Sequence, residues 1–130
     1  MDQHTCKAKR QDNGEWVYGY YVMKHDTLMP GITSHFILRQ DHGESLVSWI
    51  PVKSDTLCRC TGVEDKSGTM IFENDIVNMR NFGEGYHKTI VYWKNGKFAV
   101  DGTQYKFKDI HSKSVEVIGN IFDNTELMED

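Results

Sequence analysis

Alanine and leucine are scarce in this 130-residue chain, at two and five residues, so long helices lack their best formers. No apolar run approaches the roughly 20 residues that cross a bilayer; the longest, at 16–23, is interrupted by Gly19. The first fifteen residues are polar and lack the apolar stretch of a secretion signal. These absences predict a protein that is neither exported nor membrane-spanning. Cysteine is limited to Cys6, Cys58 and Cys60, an odd number that does not suggest a disulfide framework and fits a reducing cytoplasm. Net charge is only −4, and Asp123, Glu126, Glu129 and Asp130 in the tail account for the imbalance. No global basic field exists to draw in a phosphate backbone, so a nucleic-acid role needs a local patch. Catalytic signatures are missing too. The six histidines form no i, i+4 pair, and there is no Gly-x-Ser-x-Gly elbow or Ser/His/Asp spacing. Gly83-Glu84-Gly85 is too short and acidic for a phosphate loop. The expectation is a protein that is not an enzyme and carries no cofactor or metal.

Valine and isoleucine, in contrast, number 19. Residues of this kind pack well on a pleated surface, and a mainly β fold follows. One domain is expected over 1–130. The turn signal Asp12-Asn13-Gly14 precedes an aromatic, β-branched strand at 15–23, and Pro30-Gly31 marks the next turn. Strands at 32–38 and 46–52, separated by a polar loop at 40–44, complete a β meander over about 12–58. Beyond the turn at 64–68, an apolar pattern resumes at 71–79. Segments 88–94 and 97–100 flank Asn95-Gly96, a dipeptide suited to a type I′ hairpin because both residues tolerate positive φ. Asp101-Gly102 then turns into 104–107, and 115–121 supplies a last strand. Asn124 is placed to cap a short terminal helix through Leu127 and Met128. Strands this short and closely spaced suggest a small bent barrel over about 60–124, with the N-terminal meander packed against it.

Side-chain alternation sorts the hairpin region into two faces. Val91, Trp93, Phe98, Val100, Tyr105 and Phe107 fall on one parity and are expected inside. Lys88, Tyr92, Lys94, Lys97 and Lys106 fall on the other. That outer face is the candidate binding face, since single-strand binders combine cations with aromatic platforms, although lysines also keep ordinary sheet edges soluble. Phe82 and Tyr86, in the loop at 81–86, are candidate contacts for a protein partner. Two further clusters carry weaker chemistry. Cys58-Arg59-Cys60 sets two sulfurs on one strand face, but the paired ligands of a structural zinc site are lacking and buried thiols are the favoured reading. Glu73 and Asp75 read as a turn in which the aspartate accepts backbone hydrogen bonds, in preference to an acid–base pair.

Three blocks carry a resemblance: Gly62, Asp65, Gly68 and Ile71-Phe72-Glu73-Asn74-Asp75-Ile76-Val77; Val91, Trp93, Gly96 and Phe98; and Ile118-Gly119-Asn120-Ile121-Phe122-Asp123-Asn124. With the start at Asp12-Asn13-Gly14-Glu15-Trp16, they resemble the YopX-like family of phage and prophage proteins over most of the chain. Asn74 stands where that family usually has Gly, and both tolerate left-handed backbone. Thr125 replaces a frequent Pro. The resemblance implies a mainly β fold with an SH3-like barrel, a phage origin and self-association, and it carries over no catalytic residue. The expected function is therefore a non-enzymatic accessory protein in the bacterial host cytoplasm, binding a host or phage protein or further copies of itself. A nucleic-acid binder using the lysine and tyrosine face is the alternative.

Overall fold

The computed structural model describes residues 2–40, 47–81, 85–101, 108–109 and 115–129. Among them are twelve β-strands and two short 3-10 turns, with no α-helix, so the chain is mainly β with antiparallel sheets. It divides into two compact units, Asp2–Arg59 and Cys60–Asp130.

In the first unit, β2 (Trp16–His25), β3 (Thr33–Gln40) and β4 (Val47–Pro51) form the expected meander, in which Tyr20 lies opposite Leu38 and Leu38 opposite Trp49. A further strand, β1 (Cys6–Lys9), pairs with β2 in a register that sets Ala8 opposite Val17. Its other edge takes up Cys58 and Arg59 from the start of β5 (Cys58–Glu64). Gly14 closes the β1–β2 turn at φ 74°, a conformation that favours glycine. The inner face buries Ala8, Val17, Ile37, Ile50 and Val52. Gly19 is demanded by space: a Cβ there would run into the Leu38 carbonyl oxygen and come within 2.8 Å of Ile37 Cγ2.

In the second unit, the rest of β5 pairs with β6 (Met70–Phe72) across a turn in which Gly68 has φ 85°. The apolar stretch at 71–79 is divided by a reversal at Glu73 and Asn74, where Asn74 takes φ 71°. β7 (Asp75–Asn81) then pairs with β8 (Gly85–Ile90) on one side and β12 (Val115–Asn120) on the other, with a bulge between Val117 and Gly119. β9 (Tyr92–Lys94) and β10 (Lys97–Val100) form the hairpin predicted at Asn95-Gly96, whose φ angles are 54° and 81°. β11 (Lys108–Asp109) adds to β10. Ile71, Val77, Met79, Val91, Val100 and Val115 form the core.

Three expectations need correction. The strand expected at 88–94 breaks at Val91, because the Val91 N–H donates to the Asp75 carbonyl at 2.9 Å and its carbonyl accepts from Asn74 N–H at 2.9 Å. β8 and β9 therefore belong to different sheets, and none of the sheets among the described residues closes into a barrel. The terminal helix is a 3-10 turn at Thr125–Met128 that Asn124 does not cap; the Asn124 Oδ1 instead accepts from Asn120 N–H at 3.2 Å. Trp93, expected inside, is 43 % exposed and meets the half-buried Phe98 edge to face with ring centres 4.7 Å apart. The expected strand at 104–107, with Tyr105 and Phe107, and most of the loop at 40–44 lie outside the described residues.

Candidate functional site

The described residues of the proposed lysine face are drawn from two different sheets. Lys88 lies opposite Asn78 in the β7–β8 pair, whereas Lys94 and Lys97 face each other across the β9–β10 turn. Tyr92 is half-buried and donates its phenolic hydrogen to Asp101 Oδ1 at 2.7 Å. Asp101 is held in turn by its N–H on Thr89 Oγ1 at 3.2 Å and by a hydrogen bond of 2.8 Å between its carbonyl and His87 Nε2. Lys88 and Tyr92 thus line a shallow depression that also contains a carboxylate. Lys106 and Phe82 lie outside the described residues. Tyr86 is exposed, but it sits within β8 opposite Arg80, with Lys66 Nζ 5.3 Å from its ring centre.

Cys58 and Cys60 are buried free thiols and Cys6 is half-buried. Cys58 Sγ donates to the Thr56 carbonyl at 3.3 Å, and Cys60 Sγ accepts from Gly62 N–H at 3.4 Å. Among the described residues no three His, Cys, Asp or Glu side chains converge to hold a metal. Asp75 is buried with Oδ2 accepting from Phe72 N–H at 2.8 Å, the turn geometry expected of it.

The outer face of the N-terminal sheet is a surface that the alternation argument missed. Register places Trp16, Tyr18, Tyr20, Val22 and Lys24 of β2 on the side opposite the core, next to Phe36 and Leu38 of β3 and Trp49 of β4. Tyr18, Tyr20 and Trp49 are 42 %, 53 % and 53 % exposed. Trp49 and Phe36 meet edge to face with ring centres 5.6 Å apart. At the β1 end, Lys7 and Lys9 carry their ammonium groups 4.5 and 5.4 Å from the centre of the Trp16 indole, within the range of a cation–π contact. The sequence did hold a signal, since 16–22 is apolar on both parities and such a strand has apolar side chains to spare for its outer face. On the inner face, Tyr21 stacks on His35 and its hydroxyl hydrogen-bonds His35 Nδ1. Burial, and then Cys6, push that phenol above its ordinary value.

The family model described as YopX protein matches residues 7–129. The chain belongs to the YopX family. A solved structure, protein EF1440 from Enterococcus faecalis, is similar in fold with a TM-score of 0.59 at 20% identity, covering 96% of this chain and 97% of that one. No curated protein matches the sequence.

In this YopX protein, the blocks that carry the resemblance are occupied in holding backbone to backbone. Asp65 Oδ1 accepts from Ser67 and Thr69 N–H, both at 2.9 Å, and Oδ2 accepts from Val117 N–H at 2.9 Å. Burial pushes the Asp65 carboxyl up, but these three N–H groups and Lys66 outweigh it and leave the group below its ordinary value. Asn74 joins the other two blocks, since its N–H donates to Val91 and its carbonyl accepts from Ile121 N–H at 3.1 Å. Asn120 Oδ1 closes the last block by accepting from Phe122 and Asp123 N–H, each at 2.9 Å. Asp65, Asn74 and Asn120 thus serve to hold backbone segments of the C-terminal unit together. As for membranes, no helix of the described residues is long and apolar enough to cross one.

Proposed function

We propose that this YopX protein is a phage-encoded accessory protein that acts by binding and not by catalysis, with its contact surface on the outer face of the N-terminal sheet. The observation that carries this reading is the exposure of Tyr18, Tyr20 and Trp49 side by side on that face. Large rings contribute most of the energy at contact surfaces, because they bury much area at little entropic cost, and contiguous exposed apolar patches mark such sites. Free thiols, two of them buried, support work in the reducing cytoplasm of a bacterial host. The C-terminal unit serves as the scaffold; its antiparallel pieces around one core support reading it as an SH3-like barrel left open at the Val91 break. Partners on this reading are a host or phage macromolecule, or a second copy of the chain as the family resemblance implies. The alternative surface around Lys88, Tyr92, Lys94 and Lys97 has less support, because its tyrosine is already bonded to Asp101.

The test is a double variant, Tyr20→Ser with Trp49→Ser, compared with the parent for copurifying host material and for mass by light scattering. Loss of bound material or of self-association, with an unchanged melting curve, is the expected result. Identical partners and mass in variant and parent would remove this face from consideration.

A further inference from the structure

We infer that the fold selects Asn95, and spares Asn13, for spontaneous deamidation, so that the folded chain converts one of its own asparagines to aspartate and isoaspartate. The sequence offers this chemistry at two places, Asn13-Gly14 and Asn95-Gly96, because a following glycine puts no side chain in the way of its own nitrogen. In the reaction, hydroxide takes the proton of the glycine N–H and the nitrogen attacks the asparagine Cγ. The new C–N bond closes a succinimide, and the side-chain nitrogen leaves as ammonia, taking a proton from water. A water molecule then opens the ring, at Cγ to give aspartate or at the main-chain carbonyl to give isoaspartate. The step therefore needs a glycine nitrogen and a carboxamide that are both disengaged.

The two pairs differ in that respect. Asn13 is held at both ends of its carboxamide: Oδ1 accepts from Glu15 N–H at 2.9 Å, and Nδ2 donates to Glu15 Oε2 at 3.4 Å. The Gly14 N–H, which would supply the nucleophile, donates to the Arg10 carbonyl at 3.0 Å. At the other pair both residues are exposed, and neither the Asn95 carboxamide nor the Gly96 N–H has a hydrogen-bond partner among the described residues. The backbone adds to the contrast. A type I′ turn aims the glycine nitrogen away from the preceding side chain, so the turn must open before the ring can close. β9 and β10 hold theirs with three opposed pairs, whereas the turn at Asn13 is closed by four pairs between β1 and β2 and by the Arg10–Asp12 ion pair at 2.9 Å. Strand ends with few contacts open at low cost. The product changes the hairpin. Aspartate at this position suits the same turn, since Asp-Gly also adopts type I′, and it adds a carboxylate between Lys94 and Lys97, which lie opposite each other. Isoaspartate lengthens the main chain by a methylene and disturbs the register that sets Trp93 opposite Phe98.

The test is peptide-mapping mass spectrometry of the full-length protein, incubated at neutral pH well below its melting temperature and, in parallel, unfolded in guanidinium chloride. In the folded protein Asn95 should convert about tenfold or more faster than Asn13, because the three hydrogen bonds at Asn13 and Gly14 must be broken first. In the unfolded protein that difference should largely disappear. The acidic species that accumulates should contain a fraction that coelutes on ion exchange with an Asn95→Asp variant, and that variant should melt like the parent. Conversion of Asn13 as fast as Asn95 in the folded protein, conversion of neither while both react when unfolded, or a preference for Asn95 that unfolding leaves intact would each overturn the inference.

Discussion

Replacing Asp65 by Asn tests the hydrogen-bonded centre of the C-terminal unit. The carboxylate accepts three backbone N–H groups, and its residue is 4 % exposed. An asparagine can keep Oδ1 on Ser67 and Thr69, but its Nδ2 then meets the Val117 N–H, donor against donor. One charge-assisted bond is lost, worth about 1.5–3 kcal/mol, and a backbone donor is left unsatisfied. A net destabilisation of about 2–3 kcal/mol at pH 7 follows, a loss of roughly 6–12 °C in Tm for a chain of this size. The effect must also depend on pH. Because the folded carboxyl titrates below its ordinary value, its stabilisation is fully present above the unfolded pKa of about 3.9 and disappears as pH falls through the folded value. The gap between Asp65→Asn and the parent, measured by urea unfolding, should therefore be widest near neutrality and shrink below about pH 4. Hydrogen exchange at the Val117 amide should accelerate in the variant. A gap under about 0.5 kcal/mol at pH 7, within the range of ordinary surface substitutions, or one that stays constant down to pH 2.5, would refute the reasoning.

Two further substitutions probe close approaches. Gly119→Ala brings a Cβ to 2.6–2.9 Å from the side chain of Asn124; unfolding should become easier by about 1–3 kcal/mol, and adding Asn124→Ser should recover part of the loss in a double-mutant cycle. Gly19→Ala confronts the Leu38 carbonyl and Ile37. A strand backbone cannot step aside as a side chain can, so circular dichroism melts should show a loss of about 3 kcal/mol or more, with no rescue from a smaller residue at position 37.

What the sequence disclosed depended on how local each determinant is. Asn95-Gly96 was legible because two successive positive φ angles leave few residue choices, and the meander because Pro30-Gly31 and the apolar runs mark its ends. β1 was not: Cys6-Lys7-Ala8-Lys9 alternates only weakly, and its place comes from β2 and from Cys58 and Arg59, far along the chain. The break at Val91 leaves no local trace either, because Asn74 and Asp75 impose it from a distance. That break divides the lysine face between two sheets, since its parity argument assumed one strand from 88 to 94. The aromatic face was half legible. The run at 16–22 shows that both sides of a strand are apolar, but which side is covered is decided by the pairing of β2 with β1 and β3.

The turn at Asp65 has a bearing on other chains as well as on its own. β12 pairs with β7 along one side, and its opposite side would expose the kind of unsatisfied donors and acceptors to which a neighbouring molecule's strand can add. There, the Val117 N–H is taken by Asp65 Oδ2, and the Val115 carbonyl accepts from Lys66 N–H at 3.3 Å. A turn of the same chain thus occupies the place where a foreign strand would dock. Proteins often guard such an edge by repulsion, with outward lysines or a proline; here it is guarded by occupancy, so β12 is closed to runaway sheet growth.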